Sequence, residues 1–395
     1  MIEVNAYKGR GLEIWLEVTE NRVKLKSSGW LSKLTFPLMR RINRMLKYEK
    51  PIRATEEEVI LSTWLPPIPS EPFQRAIKAE IDMLKKKPSP QVVSINVADC
   101  TLNCAECNIV QHESAVTEKE LLSFLSQIQD LGTISIGFAE GDPLLREDLF
   151  RLIDCINKRK SIVSVFTPGP LLTDDVASRL KKHGVYAIIT GIKSAIPEKH
   201  DASRGFKGAF NRAVKGMQNA VNNGLLVSMH THATPLLVEN RELFDIYQLA
   251  SKIRVHELTI WDSHPTWNYK DRKELLLKKR HREDIIRLYK EANTSRDGPR
   301  VFYNAVFESQ ESFGCMAGRR WLNLIHSGDL TPCSYVPISF GNIKEEKVET
   351  IWRRMYNFKE FRSKRPCVML DKEFRSKYID SFSAADLPIN YKDII

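Results

Sequence analysis

Short apolar segments alternate with longer amphipathic segments through the middle of the chain. The apolar segments are typical of strands, and they lie at Val92–Val97, Thr133–Phe138, Ile162–Phe166, Tyr186–Ile192, Leu225–His230 and Glu257–Trp261. Helical patterns occupy the intervals, for example at Glu118–Leu131, Leu145–Lys158 and Phe210–Asn223. Strand–helix repetition of this kind predicts an α/β fold with a parallel sheet, a partial (β/α)6 TIM-like barrel. Functional residues are then expected at the carboxyl ends of the strands.

The pattern changes on both sides of the predicted barrel. Pro-rich stretches at 64–73 and 85–90 indicate linkers, so residues 1–88 are predicted to form a separate basic N-terminal region. The barrel is then expected over residues 89–300, and it ends with a very basic helix at Lys270–Lys290 and a polar break. Short strands and turns follow, which predict a small α+β extension over residues 301–395.

The N-terminal region carries most of the excess positive charge. Nine Lys or Arg residues and one acid, Glu49, lie between Asn21 and Lys50. Apolar residues recur at helical spacing among the basic ones, at Leu38, Ile42, Met45 and Leu46. Such a helix either packs on its own domain with a solvated basic face or, over residues 30–48, lies on an anionic membrane surface.

Composition excludes several classes of protein. The chain has 395 residues, of which 42% are hydrophobic and 28% charged, as in an ordinary soluble globular protein. Its net charge of +11 favours an anionic partner, with nucleic acid as one alternative. Seven cysteines, an odd number, and the absence of a secretory h-region predict a reducing, cytoplasmic environment, with peripheral membrane association left open.

Three cysteines follow the first predicted strand in a CxxxCxxC arrangement, Cys100, Cys104 and Cys107. Three thiolates within eight residues allow one loop to wrap a metal centre. A closed zinc site would need a fourth ligand, and His112 is the local candidate. Three cysteines with one open position fit an iron–sulfur cube.

The motif and its position resemble the radical S-adenosylmethionine (radical SAM) superfamily. The segment Glu140-Gly141-Asp142-Pro143 is similar to the family's GGEP segment, which binds the methionine amino group. Further similar segments follow, at Thr167-Pro168-Gly169, at Thr190 and at His200-Asp201-Ala-Ser-Arg204-Gly205. The resemblance covers residues 92–265. It implies a [4Fe–4S] cluster on Cys100, Cys104 and Cys107, and SAM contacts from Glu140, Gly141, Asp142, Pro143, Thr167, Thr190 and Arg204.

The resemblance also implies a reaction. The cluster would cleave SAM reductively to a 5′-deoxyadenosyl radical that abstracts a hydrogen from a substrate, with flavodoxin or ferredoxin as the low-potential electron donor. Two positions depart from the family pattern. Glu106 replaces the usual aromatic residue before the third cysteine, and Asp142, a shorter carboxylate, stands in the GGEP segment.

A second set of cysteines lies near the C-terminus. Twelve residues separate Cys315 from Gly328, and four separate Gly328 from Cys333. The residues Ser327-Gly328-Asp329 predict a hairpin turn that brings Cys333 back toward Cys315. This spacing resembles the SPASM and twitch extensions, which implies an auxiliary iron–sulfur cluster on Cys315, Cys333 and Cys367. Its fourth position is either open or filled by a group such as Asp371 or His326, and the alternative is a hairpin domain without a cluster.

The substrate is not specified by these motifs. The side chains His230, His232, Trp261, His264 and Trp267 lie at or beyond the ends of the fifth and sixth strands, and they are candidates for the substrate side of the site. The seventh cysteine, Cys155, is interpreted as a core residue. The auxiliary domain favours a peptide or protein substrate, and the basic helix favours a lipid or isoprenoid. A zinc protein and a nucleic-acid-binding module remain as non-redox alternatives.

Overall fold

A computed structural model describes residues 1–20, 22–85, 87–104, 107 and 116–394, apart from the side chains of Leu38 and Leu84. The sequence positions Glu106 and His112 lie outside the described residues. The strands are β1 (Ile2–Gly9), β2 (Leu12–Thr19), β3 (Arg22–Ser28), β4 (Arg53–Ala54), β5 (Val59–Ile60), β6 (Val92–Asn96), β7 (Ser135–Phe138), β8 (Ile162–Thr167), β9 (Ala187–Gly191), β10 (Leu226–Ala233), β11 (Glu257–Asp262), β12 (Arg300–Tyr303), β13 (Trp321–Ile325), β14 (Leu330–Thr331), β15 (Ile338–Ser339) and β16 (Ile389–Asn390). The helices are α1 (Ser32–Met45), α2 (Glu71–Leu84), α3 (Glu118–Asp130), α4 (Leu149–Cys155), α5 (Asp174–Lys182), α6 (Pro197–Arg204), α7 (Ala209–Asn222), α8 (Pro235–Glu239), α9 (Glu242–Lys252), α10 (Lys279–Thr294), α11 (Asn304–Phe307), α12 (Val348–Asn357), α13 (Lys359–Arg362) and α14 (Lys372–Tyr378).

The central feature is a sheet in the order β12-β11-β10-β9-β8-β7-β6-β13-β14. Strands β6 to β12 are parallel and adjacent in chain order, which confirms the α/β class and all six predicted strands. The strand β12 adds a seventh that the pattern did not predict. Among the described residues, the two edge strands β12 and β14 are not paired with each other, so the barrel is open on one side.

The helix α3 illustrates how local sequence builds this layer. Thr117 caps its first turn, accepting a hydrogen bond from the Glu120 amide while the Glu120 carboxylate accepts from the Thr117 amide. Its buried side chains, among them Leu121, Phe124 and Ile128, recur at helical spacing and pack in the barrel core. The cap therefore sets where the helix begins, and the apolar stripe sets which face meets the sheet.

The N-terminal region contains more than the predicted amphipathic helix. The helix is present as α1, but an antiparallel sheet β1-β2-β3 precedes it. Burial alternates along β2, where Leu12, Ile14, Leu16 and Val18 are buried, because successive side chains of a strand point to opposite faces. These residues and the buried face of α1 share a second hydrophobic core. We call residues 1–84 the N-terminal module.

Two further expectations need correction. The basic segment Lys270–Lys290 is helical only from Lys279. The Thr266 hydroxyl and the Trp267 indole before it are hydrogen-bonded to backbone carbonyls of Tyr335 and Ser334, and these long-range contacts hold the chain in short turns instead. Cys155 was interpreted as a core residue, but it is exposed. It ends α4, whose buried face is formed by Leu149, Leu152 and Ile153.

The C-terminal hairpin forms as predicted. The strand β13 pairs with β14 in antiparallel fashion, with Asn323 opposite Thr331, and it also pairs in parallel with β6. The hairpin that carries Cys333 is therefore part of the barrel sheet. Within the part of the chain that the structure describes, no helix is both long and apolar enough to cross a lipid bilayer.

Candidate functional site

The three cysteines of the first motif line a cavity that begins at the carboxyl ends of the parallel strands and continues through the barrel to their amino ends, at Val92 and Ser135. Its volume is about 1090 Å³, and Cys100, Cys104 and Cys107 all contribute to its wall. Burial raises the pKa of the Cys100 thiol, and the neighbouring Cys104 and Cys107 act in the same direction. Free thiols in this position disfavour ionisation, so a cationic metal centre is what would stabilise the thiolates. The donor set fits an iron–sulfur cluster.

Arg204 connects helix α6 to this cysteine loop. Its Nη1 lies 3.6 Å from the Cys104 sulfur, and its Nη2 donates to the Gly191 carbonyl oxygen at 2.6 Å. The following Gly205 has φ +60° and ends the helix, and a Cβ there would lie 2.2 Å from the Asn103 carbonyl oxygen. Only glycine allows this approach of the helix end to the loop. The fold therefore holds a guanidinium beside one thiol.

His200 and Asp201, the first two residues of the segment 200–205, have structural roles. The His200 Nδ1 accepts a hydrogen bond from the Lys193 amide at 3.1 Å, and burial lowers the pKa of His200 to about 4. The Asp201 carboxylate accepts from the amides of Gly208 and Phe210, at the start of α7. Both residues tie helix α6, which ends at Arg204, to neighbouring segments of the chain.

The Glu140–Pro143 loop runs beside the chain that leads to Cys100. Gly141 has φ +74°, and a Cβ would lie 2.1 Å from the Ala98 carbonyl oxygen. The Asp142 amide donates to the Asp99 carbonyl oxygen at 2.7 Å. These contacts fix the loop against the cysteine segment.

The two carboxylates of this loop point in different directions. Asp142 is 1% exposed, and it accepts from the Leu144 amide at 3.2 Å and from the Thr167 hydroxyl. Glu140 lines the cavity and is hydrogen-bonded by Asn96 and Ser334. Burial raises the pKa of Asp142 to about 6 and that of Glu140 to about 8. The carboxylate that faces the cavity is therefore Glu140, while Asp142 and Pro143 lie behind its wall.

The remaining SAM-side candidates are two threonines opposite each other in the β8–β9 register, Thr167 and Thr190. Thr167 lines the cavity, and its hydroxyl also accepts from the Gly169 amide at 3.1 Å. Thr190 is fully buried beside the wall, and its Oγ1 is one of the buried polar atoms without a partner among the described residues.

The substrate-side candidates form one aromatic cluster at the ends of β10 and β11. His230, His232 and Trp261 line the cavity, and the two imidazole centres lie 4.7 Å apart. Burial lowers the pKa of His230 to about 3, so the ring is neutral at pH 7. His264 lies outside the wall and packs on Tyr335 with ring centres 4.5 Å apart.

Sequence reasoning missed Tyr335. Its hydroxyl is 3.2 Å from the His232 Nε2, and its ring contacts Trp261, 5.7 Å between centres. Its position two residues after Cys333 was the available signal. The C-terminal extension therefore supplies part of the cavity wall, and Trp267 donates to the Ser334 carbonyl oxygen at 2.8 Å from outside.

The thiols of the second cysteine set interact with one another. Cys315 and Cys333 are buried, and the thiols of Cys315 and Cys367 are hydrogen-bonded to each other. That bond raises the pKa of Cys367 and lowers that of Cys315, while burial raises the pKa of Cys333. The Cys315 amide donates to the Arg365 carbonyl oxygen at 2.6 Å, which joins the two chain segments. Soft sulfur donors in a dry site fit an iron–sulfur cluster.

The proposed fourth ligands differ in position. Asp371 pairs with Arg365 and caps α14 through the Glu373 amide at 2.9 Å, so its carboxylate is already used. His326 lies at the turn end of the hairpin, away from the end that carries Cys333. Glu308, which sequence reasoning missed, is a buried carboxylate whose pKa is raised by burial and by Cys315.

Comparison with known proteins agrees with this geometry. Residues 97–250 match the model of the radical SAM superfamily, and residues 315–375 match the SPASM model, an iron–sulfur cluster-binding domain. The AdoMet-dependent heme synthase of Nitratidesulfovibrio vulgaris is 26% identical over 67% of this chain and 78% of its own. The PqqA peptide cyclase of Rhizobium meliloti is 24% identical over 67% of this chain and 73% of its own.

Solved structures show the same fold. The crystal structure of Streptococcus suis SuiB bound to the precursor peptide SuiA superposes with a TM-score of 0.56 at 14% identity, covering 74% of this chain and 71% of SuiB. Native anSMEcpe with bound AdoMet and Cp18Cys peptide superposes with a TM-score of 0.54 at 16% identity, covering 69% of this chain and 82% of that one.

Proposed function

Because this chain is a radical SAM enzyme with a SPASM auxiliary-cluster domain, we propose that it abstracts a hydrogen atom from a substrate held in the central cavity. The observation that carries the proposal is the common cavity. Cys100, Cys104 and Cys107 share its wall with Glu140 and Arg204 on one side and with the His230 cluster on the other. Cofactor and substrate would meet there.

The radical SAM domain implies a [4Fe–4S] cluster that binds SAM, and the SPASM domain implies additional iron–sulfur clusters. With one electron from flavodoxin or ferredoxin, a bound cluster and SAM would supply 5′-deoxyadenosyl radical chemistry, which yields methionine and, after transfer of a substrate hydrogen atom, 5′-deoxyadenosine. The protein's own residues bind, orient and exclude water.

On the cofactor side, the cysteine loop would hold the cluster, and Arg204 would donate a hydrogen bond to the Cys104 sulfur. Glu140 is the carboxylate in reach of an amino group, and an ammonium beside it would lower its raised pKa and ionise it. Asp142 would hold the loop through Thr167 and the Leu144 amide. Thr167 and Thr190 would complete the SAM side.

On the substrate side, the buried donors or acceptors without a partner among the described residues include the His230 Nε2 and the Trp261 Nε1. Both side chains line the cavity, so a polar group of the substrate would satisfy them. His232, hydrogen-bonded to Tyr335, and His264 behind it would fix the shape of this wall. The neutral imidazoles favour an uncharged or hydrogen-bonding group over a cation.

The auxiliary cluster would be held by Cys315, Cys333 and Cys367. Because Tyr335 follows Cys333 closely and lines the same cavity as His232, this centre would lie near the substrate, where it could accept the electron left after hydrogen removal. A peptide is one candidate for the substrate, since one relative is named a PqqA peptide cyclase and SuiB was solved with a bound precursor peptide.

The test is anaerobic reconstitution with iron and sulfide, followed by iron counting and reduction in the presence of SAM. We expect about eight irons per chain and formation of 5′-deoxyadenosine. Replacing Cys100, Cys104 and Cys107 by Ala should remove about four irons and abolish SAM cleavage. The matched control is Cys155→Ser, because that thiol is exposed on α4.

Three results would contradict the proposal. They are a colourless protein that contains zinc and no iron, a reduced holoenzyme that forms no 5′-deoxyadenosine, and a triple variant that cleaves SAM at the wild-type rate.

A further inference from the structure

The central cavity extends beyond the barrel into the N-terminal module. From the cysteine loop its wall passes Trp261 and Phe302 and continues along the inner face of the small sheet and along α1. The small sheet and α1 contribute mostly aliphatic side chains, among them Leu12, Ile14, Leu16, Leu25, Met39 and Ile42. The rest of the module adds further apolar side chains, including the aromatic Trp64 and Phe73, and the polar Glu49, Ser62 and Glu80. This part of the cavity offers shape and apolar surface but few hydrogen-bonding groups.

The module lies against the amino ends of the barrel strands, opposite the end that carries the cysteine loop. Ser62 and Thr63 donate hydrogen bonds to Glu257 at the start of β11. At one edge strand, Glu49 forms a buried ion pair with Arg300 of β12. Toward the other, Glu80 of α2 accepts two hydrogen bonds from Arg320, at 2.9 and 2.8 Å, immediately before β13. The module that covers the amino ends of the strands therefore also lines the apolar extension.

The extension reaches the surface at α1. Leu34 lines the cavity and is also 77% exposed, so it lies at the mouth. Trp30 and Phe36 beside it are 75% and 63% exposed. The basic residues Lys33, Arg40, Arg44 and Lys47 are exposed on the same segment. Exposed aromatic and aliphatic side chains among basic ones are typical of a helix at a lipid–water interface.

We propose that the substrate is a membrane lipid or isoprenoid whose hydrocarbon chain enters at Leu34 and lies along the N-terminal module, with the reacting segment at the His230 cluster. This inference rests on the proposed function and names its substrate class. A peptide in the same place would bury backbone amides against aliphatic walls, which costs free energy for each unpaired group. A hydrocarbon chain has no such groups, and the basic residues around the mouth match anionic headgroups.

The first test measures binding of the reconstituted holoenzyme to phosphatidylcholine vesicles with and without phosphatidylglycerol, by co-sedimentation. We expect binding that requires the anionic lipid and falls with salt. The double variant Leu34→Glu/Phe36→Glu should weaken it by about tenfold or more, since it places charge on the apolar contact. The matched control, Leu236→Glu/Phe244→Glu, alters two exposed apolar residues elsewhere and should bind as wild type.

The second test examines the cavity itself, using the fluorescence of parinaric acid as a hydrocarbon-chain probe. Ile42→Trp would place a larger side chain in the part of the cavity that α1 lines, and it should reduce probe binding about tenfold. Ile196→Trp, a partly exposed position outside the lining, is the control. SAM cleavage without substrate should be unchanged in the Ile196→Trp control.

The outcomes separate the inference from the proposed function. Absence of vesicle and probe binding in an enzyme that cleaves SAM would overturn the lipid inference alone. Stimulation of SAM cleavage by a peptide but not by lipid would do the same. An enzyme that binds lipid but fails to cleave SAM would overturn the proposed function and leave the cavity's ligand class supported.

Discussion

The Arg204 guanidinium lies 3.6 Å from the Cys104 sulfur, and it is held there by a second hydrogen bond to the Gly191 carbonyl oxygen. A donor to a cluster thiolate stabilises the more negative, reduced cluster, so it raises the reduction potential. Arg204 also faces the cavity that we assign to SAM.

We therefore expect Arg204→Gln to lower the reduction potential of the first cluster. If the Arg204 hydrogen bond stabilises the reduced cluster by about 1 kcal/mol more than the oxidised cluster, its loss lowers the potential of a one-electron couple by about 40 mV. The measurement is a redox titration followed by electron paramagnetic resonance, with Arg212→Gln on α7 as control. An unchanged potential together with unchanged SAM affinity would show that Arg204 has only a structural role.

Replacing Cys315, Cys333 and Cys367 by Ser should remove the auxiliary cluster and leave the first one. The iron content would fall by about four, while reductive SAM cleavage without substrate continues. Mössbauer spectra of the variant should lose one cluster component. A full iron content in this variant would refute the assigned ligands.

The buried charges between the N-terminal module and the barrel predict a large effect on stability. Arg300 pairs with Glu49 and Glu257, and all three side chains are at most 4% exposed. Removal of the cation leaves two buried carboxylates uncompensated, so Arg300→Met should lower the free energy of unfolding by about 3–5 kcal/mol.

The matched control for Arg300 is Arg353→Met. It breaks an exposed ion pair with Glu349 on α12 and should cost less than about 1 kcal/mol. Urea unfolding of the holoenzyme measures both variants. Equal losses in the two would contradict the assigned role of the buried pair.

Acid should destabilise the protein through its buried histidines. The pKa of His200 is lowered from 6.5 to about 4, first by burial and then by the Arg204 charge. The unfolded chain therefore binds a proton that the folded chain excludes, and stability is full above pH 6.5 and falls as the pH drops toward 4.

His200→Asn keeps an acceptor for the Lys193 amide but does not titrate. Relative to wild type, its loss of unfolding free energy between pH 7 and pH 5 should be smaller by about 2 kcal/mol. Urea midpoints at several pH values measure the difference. Parallel pH profiles would argue that His200 is charged in the folded protein.

Two glycines with similar backbone angles separate strain from steric conflict. Gly141 has φ +74° and its Cβ would meet the Ala98 carbonyl oxygen, whereas Gly208 has φ +86° and no atom within 4 Å. Gly208→Ala should cost about 1 kcal/mol of backbone strain. Gly141→Ala should cost about 2 kcal/mol more and weaken SAM binding in equilibrium dialysis. Equal stability and SAM affinity in the two variants would exclude the close approach at Ala98.

Several features followed from local sequence. The spacing of Cys100, Cys104 and Cys107, the six strand–helix units and the hairpin at Gly328 depend on residues close together in the chain, and the structure contains each of them. The domain boundary at residue 300 stays a prediction. The strands β12 and β13, which lie at this boundary and beyond it, both join the barrel sheet.

Long-range packing decided the rest. Sequence could not tell that Glu140 faces the cavity while Asp142 turns to Thr167, since positive φ angles at Glu140 and Gly141 set those directions. It also could not place Tyr335 against His232, which lies 103 residues away in the chain.

By itself, the sequence determined the chemistry available to this protein, because ligand spacing and hydrophobic period are local properties of the chain. Only the tertiary structure decided what shares the cavity with that chemistry. Ion pairs between distant residues, Glu49 with Arg300 and Glu80 with Arg320, place the N-terminal module against the amino ends of the barrel strands, and no local pattern encodes such a meeting.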